Sequence, residues 1–242
     1  MLNKLKVELM QPEGSNILGT PEPAAVAMPG WYKQIPAFVD RVESDVLTHG
    51  AKNETAFTIK RCIPFLDSMT DGFVLRLKHD IKINRSSQGI MISGEIFKKI
   101  DFESAIGTHP KLQIPNMPVA KEYYTKSALK WINHCVLKTP PGYSISFDHP
   151  SNRTDLPFIT LSGIVDTDTF TMPVNFPFFI REDFSGIIPA GTPVVQFSIF
   201  KRESWEIEKT SVSRLDTIQA MNEVAALQPS AYKNNYWHKK KK

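Results

Sequence analysis

Between Thr139 and Phe200 the chain reads as one succession of β-strands separated by turns, and no other part restricts its fold as tightly. Thr139-Pro140-Pro141-Gly142-Tyr143 leads into Ser144-Ile145-Ser146-Phe147. Proline holds φ and glycine tolerates positive φ, so this run predicts a stiff turn feeding a strand. Gly163-Ile164-Val165-Asp166-Thr167-Asp168 reads as a later strand, and side chains two apart on a strand share a face, so both carboxylates are expected on one side. Ile188-Pro189-Ala190-Gly191-Thr192-Pro193-Val194-Val195-Gln196-Phe197 closes the stretch as a turn and a strand.

Upstream, the pattern is again β-rich. Leu5 to Leu9 alternates, and Pro12 to Gly30 is a Pro/Gly-rich connector before Trp31, which is expected to anchor this arm. Phe57 to Ile63 alternates up to Pro64. Phe73 to Leu77, Asp80 to Asn84 and Gly89 to Gly94 read as strands, with Asp71-Gly72 as a turn. From Asp101 to Met117 the pattern fades to loop, and Leu129 to Leu137 regains strand character. Downstream, Glu206 to Leu227 places Leu215, Ile218, Met221, Val224, Ala225 and Leu227 near helical spacing, with Ser213 as N-cap and Pro229 as stop.

Apolar residues make up 41% of the 242, enough for a packed core, and 18 prolines against 12 glycines favour short strands and fixed loops over long helices. The net charge of +4 equals the contribution of Lys239 to Lys242, so the body carries no basic stripe. Nucleic-acid binding through that tail is open but has no further support. Cys62 and Cys135 form no zinc-like or C-x-x-C pattern. No run has signal-peptide or membrane-span character, which predicts a bacterial or host cytoplasm, or a virion, and no membrane partner.

Four segments carry a resemblance. Arg61-Cys62-Ile63-Pro64, Thr139 to Tyr143, Gly163 to Asp168, and Gly191-Thr192-Pro193 resemble the motifs of an uncharacterised family of bacterial and tailed-phage proteins, over roughly residues 57–200. That resemblance implies a fold and a phage-type origin, without an activity. Gly163 to Phe170 and Gly191 to Phe197 are also similar to two strands of the β-clip fold of dUTPases and dCTP deaminases. There the first strand supplies an aspartate that activates water and an aromatic that packs on the nucleoside. The chain departs from that pattern, having no Pro-Arg-Ser-Gly phosphate-binding segment and no Gly-rich C-terminal lid.

Those readings set the candidate residues. Asp166 and Asp168 are catalytic only if the chain is an enzyme, one orienting water while the other holds a hydroxyl or metal. Tyr143, presented by the Pro-Pro-Gly turn, and Phe170 are stacking candidates, each with core packing as the plain alternative. Gln196 needs partners if it points inward, from backbone or ligand. His149, in the polar loop Asp148 to Asp155, would rim a pocket unless that loop is only a hairpin connection. No metal-ligand set is visible, and Mg²⁺ enters only with a nucleotide substrate.

The expectation is therefore a mainly-β, β-clip-like or jelly-roll-like sandwich over residues 50–205. An N-terminal strand and Pro-rich arm (1–49) precede it, and a C-terminal helix with a basic aromatic tail (206–242) follows. The expected function is that of a phage-type accessory or virion structural protein, acting by binding and self-association. Its partners would be further copies of itself or another phage or host protein, with Tyr236 and Trp237 docked on a neighbouring subunit. A nucleotide-processing enzyme of dUTPase or dCTP deaminase type, with Asp166 orienting water, is the alternative.

Overall fold

In a computed structural model the chain is mainly β, built of open antiparallel sheets in a sandwich-like arrangement. The structure describes residues 5–14, 16–39, 56–87, 89–109, 113–114, 117, 128–219 and 232–238. The chain divides into two compact units, Met1–Ala27 with Asp71–Arg202, and Met28–Thr70 with Glu203–Lys242.

In chain order the strands are β1 (Glu8–Met10), β2 (Glu22–Pro23), β3 (Phe38–Val39), β4 (Ala56–Phe57), β5 (Phe73–Arg76), β6 (Ile81–Ser86), β7 (Gly89–Ser93) and β8 (Ile106–His109). They continue with β9 (Ala128–Trp131), β10 (Val136–Lys138), β11 (Tyr143–Asp148), β12 (Phe158–Thr160), β13 (Gly163–Val165), β14 (Phe176–Ile180), β15 (Gly186–Ile188) and β16 (Pro193–Lys201).

The first unit holds a five-stranded sheet in the order β13-β11-β16-β5-β2 and a four-stranded sheet in the order β12-β14-β9-β8. It also holds the three-stranded β15-β6-β7 and the pair β1-β10. The two larger sheets meet through aromatic side chains, Phe147 of β11 lying 5.2 Å from Phe176 of β14. Behind them Trp131 stacks on Phe178 at 3.9 Å, and Phe158 meets Trp131 edge-on at 5.5 Å. Strand alternation gives β11 its inward Ile145 and Phe147, both buried. On β16 the alternation breaks, because Val194 and Val195 are both fully buried. A bulge between Pro193 and Val195 turns the two neighbours inward together.

Four sequence expectations need correction. Pro64 does not close a strand over Phe57 to Ile63; the strand is only Ala56–Phe57, and Pro64 lies in the first turn of an α-helix, Ile63–Thr70. An N–H is unneeded at that position, so proline suits it. Leu129 to Leu137 is two strands in different sheets, split where Asn133 turns its amide onto the N–H and C=O of Cys135 at 3.0 and 2.8 Å. The fading segment contains β8, whose Gly107 and Thr108 masked the alternation while pairing with Lys130 and Leu129. Between Glu206 and Val212 there is no helix. Helix starts after Ser213, whose hydroxyl accepts the Asp216 N–H at 3.1 Å as an N-cap should. Met221 to Pro229 lie outside the described residues.

The second unit gathers Trp31 and Tyr32 of the helix Gly30–Gln34 around Phe65, at centroid distances of 6.5 and 5.9 Å. Tyr32 is buried in that helix and Met69 in the helix Ile63–Thr70, while Trp31 is only half-buried. Lys60 Nζ donates to the carbonyls of Tyr32 and Lys33 at 2.9 and 3.2 Å. The Trp237 indole N–H donates to Asp67 of its own chain at 2.8 Å, so this aromatic docks within the unit.

Candidate functional site

β13 ends at Val165, and Asp166 to Phe170 is a turn. The N–H groups of Thr169 and Phe170 both close on the Asp166 carbonyl, at 3.1 and 2.8 Å. Asp166 and Asp168 are therefore not on a strand. They converge because one side chain from elsewhere gathers them, Arg202, just beyond the end of β16.

Asp168 is bound from two sides. Arg202 Nη1 and Nη2 reach its two carboxylate oxygens at 2.9 and 2.5 Å, and the Gly142 N–H donates at 2.8 Å. Its side chain is only 7% exposed. The Pro-Pro-Gly run forms the expected turn, with the Tyr143 N–H on the Pro140 carbonyl at 3.2 Å and Gly142 at φ +83°. That geometry is a type II turn, which needs positive φ at its third residue. It leaves the Gly142 N–H pointing at Asp168. The Arg202 N–H donates back to the Gly142 carbonyl at 2.8 Å, so turn, aspartate and strand end form one closed network.

Asp166 is the open member, its side chain 59% exposed. The Ser144 hydroxyl donates to it at 2.6 Å, and Arg202 lies 3.3 Å away. Beneath the turn, buried Thr139 gives its hydroxyl proton to the Tyr143 carbonyl at 3.0 Å, so Thr167 donates in the 2.9 Å contact between the two threonine hydroxyls. Tyr143, the last residue of the Pro-Pro-Gly turn, is half-buried, and Phe170 is exposed.

The remaining candidates lie at the other end of β11. Asp148 pairs with Gln196 while Tyr143 pairs with Lys201, so the two groups are roughly 17 Å apart at the rise of a strand. Gln196 is buried and satisfied by backbone, accepting the Ser151 N–H at 2.9 Å and donating to the Asp71 carbonyl at 2.8 Å. His149 accepts the Thr160 N–H on Nδ1 at 3.2 Å, which leaves Nε2–H to donate to the Arg153 carbonyl at 3.1 Å. Burial holds its pKa below the ordinary histidine value against the opposing pull of that carbonyl. The loop carrying His149 is not a hairpin connection. It takes the chain from the five-stranded to the four-stranded sheet.

Arg202 and Ser144 escape a sequence reading. Arg202 stands 34 residues from Asp168, and nothing local marks it as that partner. The network's chemistry is that of a latch. The Arg202 hydrogen bonds, then the Gly142 N–H, hold the Asp168 carboxyl at about 2, below its usual 3.8. A carboxylate so held is a poor proton acceptor near neutral pH. Among the described residues no group of three or more His, Cys, Asp or Glu side chains is placed to hold a metal ion. None of their helices is long and apolar enough to cross a membrane.

The latch predicts acid lability with a definite sign. As pH falls below the unfolded value of 3.8, the unfolded chain takes up a proton that folded Asp168 refuses until about 2. Its stabilisation is complete above that window and is lost as pH descends through it. Thermal unfolding followed from pH 5 to 2 should show a steeper fall for the native protein than for Asp168→Asn, which starts less stable and has no such proton to bind. Parallel curves would mean that the latch is not formed in solution.

The fold and this network define a mainly-β protein whose paired aspartates brace a turn against the end of a central strand. Compared with protein-family models, curated proteins and solved structures, the chain matches none of them.

Proposed function

We propose that this chain acts by binding and self-association, as a phage-type accessory or virion structural protein. The observation that carries this reading is the segment after β16. Trp205 is 85% and Ile207 96% exposed, and Val212 and Leu215 are also largely open. Large apolar side chains clustered in the open mark a surface awaiting a partner. The braced state of Asp168 supports the same reading, since its hydrogen-bonding capacity is already committed to turn and strand. The phage-type origin rests on the motif resemblance alone.

Mass in solution tests the proposal. The native protein should self-associate at micromolar concentration, and Trp205→Ser with Ile207→Ser should shift it toward monomer by tenfold or more, about what loss of two buried apolar side chains predicts. A monomer that instead binds a nucleotide with Mg²⁺, with the thermal shift lost in Asp166→Asn, would overturn this reading in favour of nucleotide chemistry.

A further inference from the structure

β12 lies at the edge of the four-stranded sheet and pairs with β14 alone among the described residues. The bonds between the two strands fall on either side of Thr160. The Leu161 N–H donates to the Pro177 carbonyl at 2.8 Å, and the Arg181 N–H to the Pro157 carbonyl at 2.9 Å. Alternation along an antiparallel ladder therefore turns the Thr160 N–H away from β14. Thr160 is buried, and a buried N–H needs an acceptor. Its acceptor is a side chain, Nδ1 of His149.

The imidazole holds two groups at once, and only its neutral form can do so. Nδ1 accepts from Thr160, while Nε2–H donates to the Arg153 carbonyl in the loop that crosses between the two larger sheets. The ring stands edge-on to Phe158 at 6.0 Å. A proton on Nδ1 would set N–H against N–H and leave the buried Thr160 donor without an acceptor. Two charges act on the ring, Arg153 opposing protonation and Asp155 favouring it, and they are bound to each other at 2.8 and 2.9 Å. The neighbouring Asp148 takes the Ser146 hydroxyl at 2.7 Å, and β12 brings only Phe158, Ile159 and Thr160, none of them titratable. Arg153 Nη1 also donates to the Ala27 carbonyl at 3.2 Å, so this loop ties down a second part of the unit.

We propose that His149 is an acid-sensitive staple, whose protonation on Nδ1 releases the Thr160 N–H and opens the loop 149–157 while the sheets stay folded. The sign follows from burial, which holds the folded ring's pKa below the 6.5 of an exposed histidine. As pH falls below 6.5 the open loop takes up a proton that the closed loop refuses. Closure is complete above that window and weakens as pH descends through it. The window lies above the one that Asp168 sets between 3.8 and about 2.

Amide hydrogen exchange on the full chain, followed from pH 7.5 to 5 and corrected for intrinsic rates, tests the staple. Opening at Thr160 should grow by up to tenfold per pH unit below 6.5, then level off where the His149 ring itself titrates by NMR. Amides of the central strand β11 should keep their protection. In His149→Asn, which keeps an acceptor near Nδ1 but does not titrate, opening at Thr160 should not vary with pH. Opening that is flat in the native protein, or that follows pH equally in the asparagine variant, would overturn the proposal. So would loss of protection at Thr160 and β11 together, which would mean that acid acts on the whole fold. Should the variant not fold, the native protein decides alone, because levelling at a pH away from the ring's titration would overturn the staple.

Discussion

Trp131→Ala should destabilise the protein by about 3–5 kcal/mol, the range for emptying the site of a large aromatic core residue. Trp131 is fully buried on β9 and joins the stack on Phe178 to the edge contact with Phe158. Neighbours held in ladders on both sides, β14 and β8, have little freedom to collapse into the void. The indole also carries a cost, because its buried N–H finds no acceptor among the described residues. Trp131→Phe removes that unpaired donor while keeping a ring on Phe178. Loss of volume and loss of an unpaired polar group then oppose each other, so this variant should fall within about 1.5 kcal/mol of the native protein. Chemical denaturation of the two variants checks the pair. Equal losses would mean that the indole N–H is satisfied in solution.

Gly72→Ala should cost at least about 3 kcal/mol, a value reserved for substitutions that force backbone apart. Gly72 sits at φ +65°, and a Cβ there would lie 2.0 Å from the carbonyl oxygen of Phe197 and 2.9 Å from Ser198 Oγ. Phe197 belongs to β16, which pairs with β5 immediately after Gly72. Making room would pry apart the central pair of the five-stranded sheet. It would also disturb Asp71, which holds Gln196 through its carbonyl and Ser198 through its carboxylate, both at 2.8 Å. Gly72→Asn separates the causes, since asparagine tolerates positive φ but brings the same Cβ. Both variants should be comparably destabilised. Recovery in the asparagine variant would show that dihedral strain, not the close approach, sets the penalty.

Much of the β framework was legible in the residues themselves. β5, β6, β7 and β11 lie where alternation puts them, and the Asp71-Gly72 and Pro-Pro-Gly turns lie where turn chemistry puts them. These are local properties: a two-residue repeat, the φ of proline and the latitude of glycine act within a few residues. Where local signals compete, reading fails. The alternation of Phe57 to Ile63 yielded to a helix, and Leu129 to Leu137 was cut by the Asn133 side chain.

The candidate site shows the same division. Asp166 and Asp168 stand out along the chain, and so does the turn that ends in Tyr143. Their use was decided only by tertiary structure, because the cation that gathers them arrives from the far end of a strand. Hydrogen bonds and charge pairing act over a few ångströms of space whatever the separation along the chain, so no local pattern announces Arg202 as the partner of Asp168. The same reason sends Gln196 and His149 to the opposite end of β11, where backbone groups satisfy them. The sequence by itself determined the class of fold and the stiffness of its turns. Only the folded chain made the two aspartates a brace, and only there do Trp205 and Ile207 stand exposed.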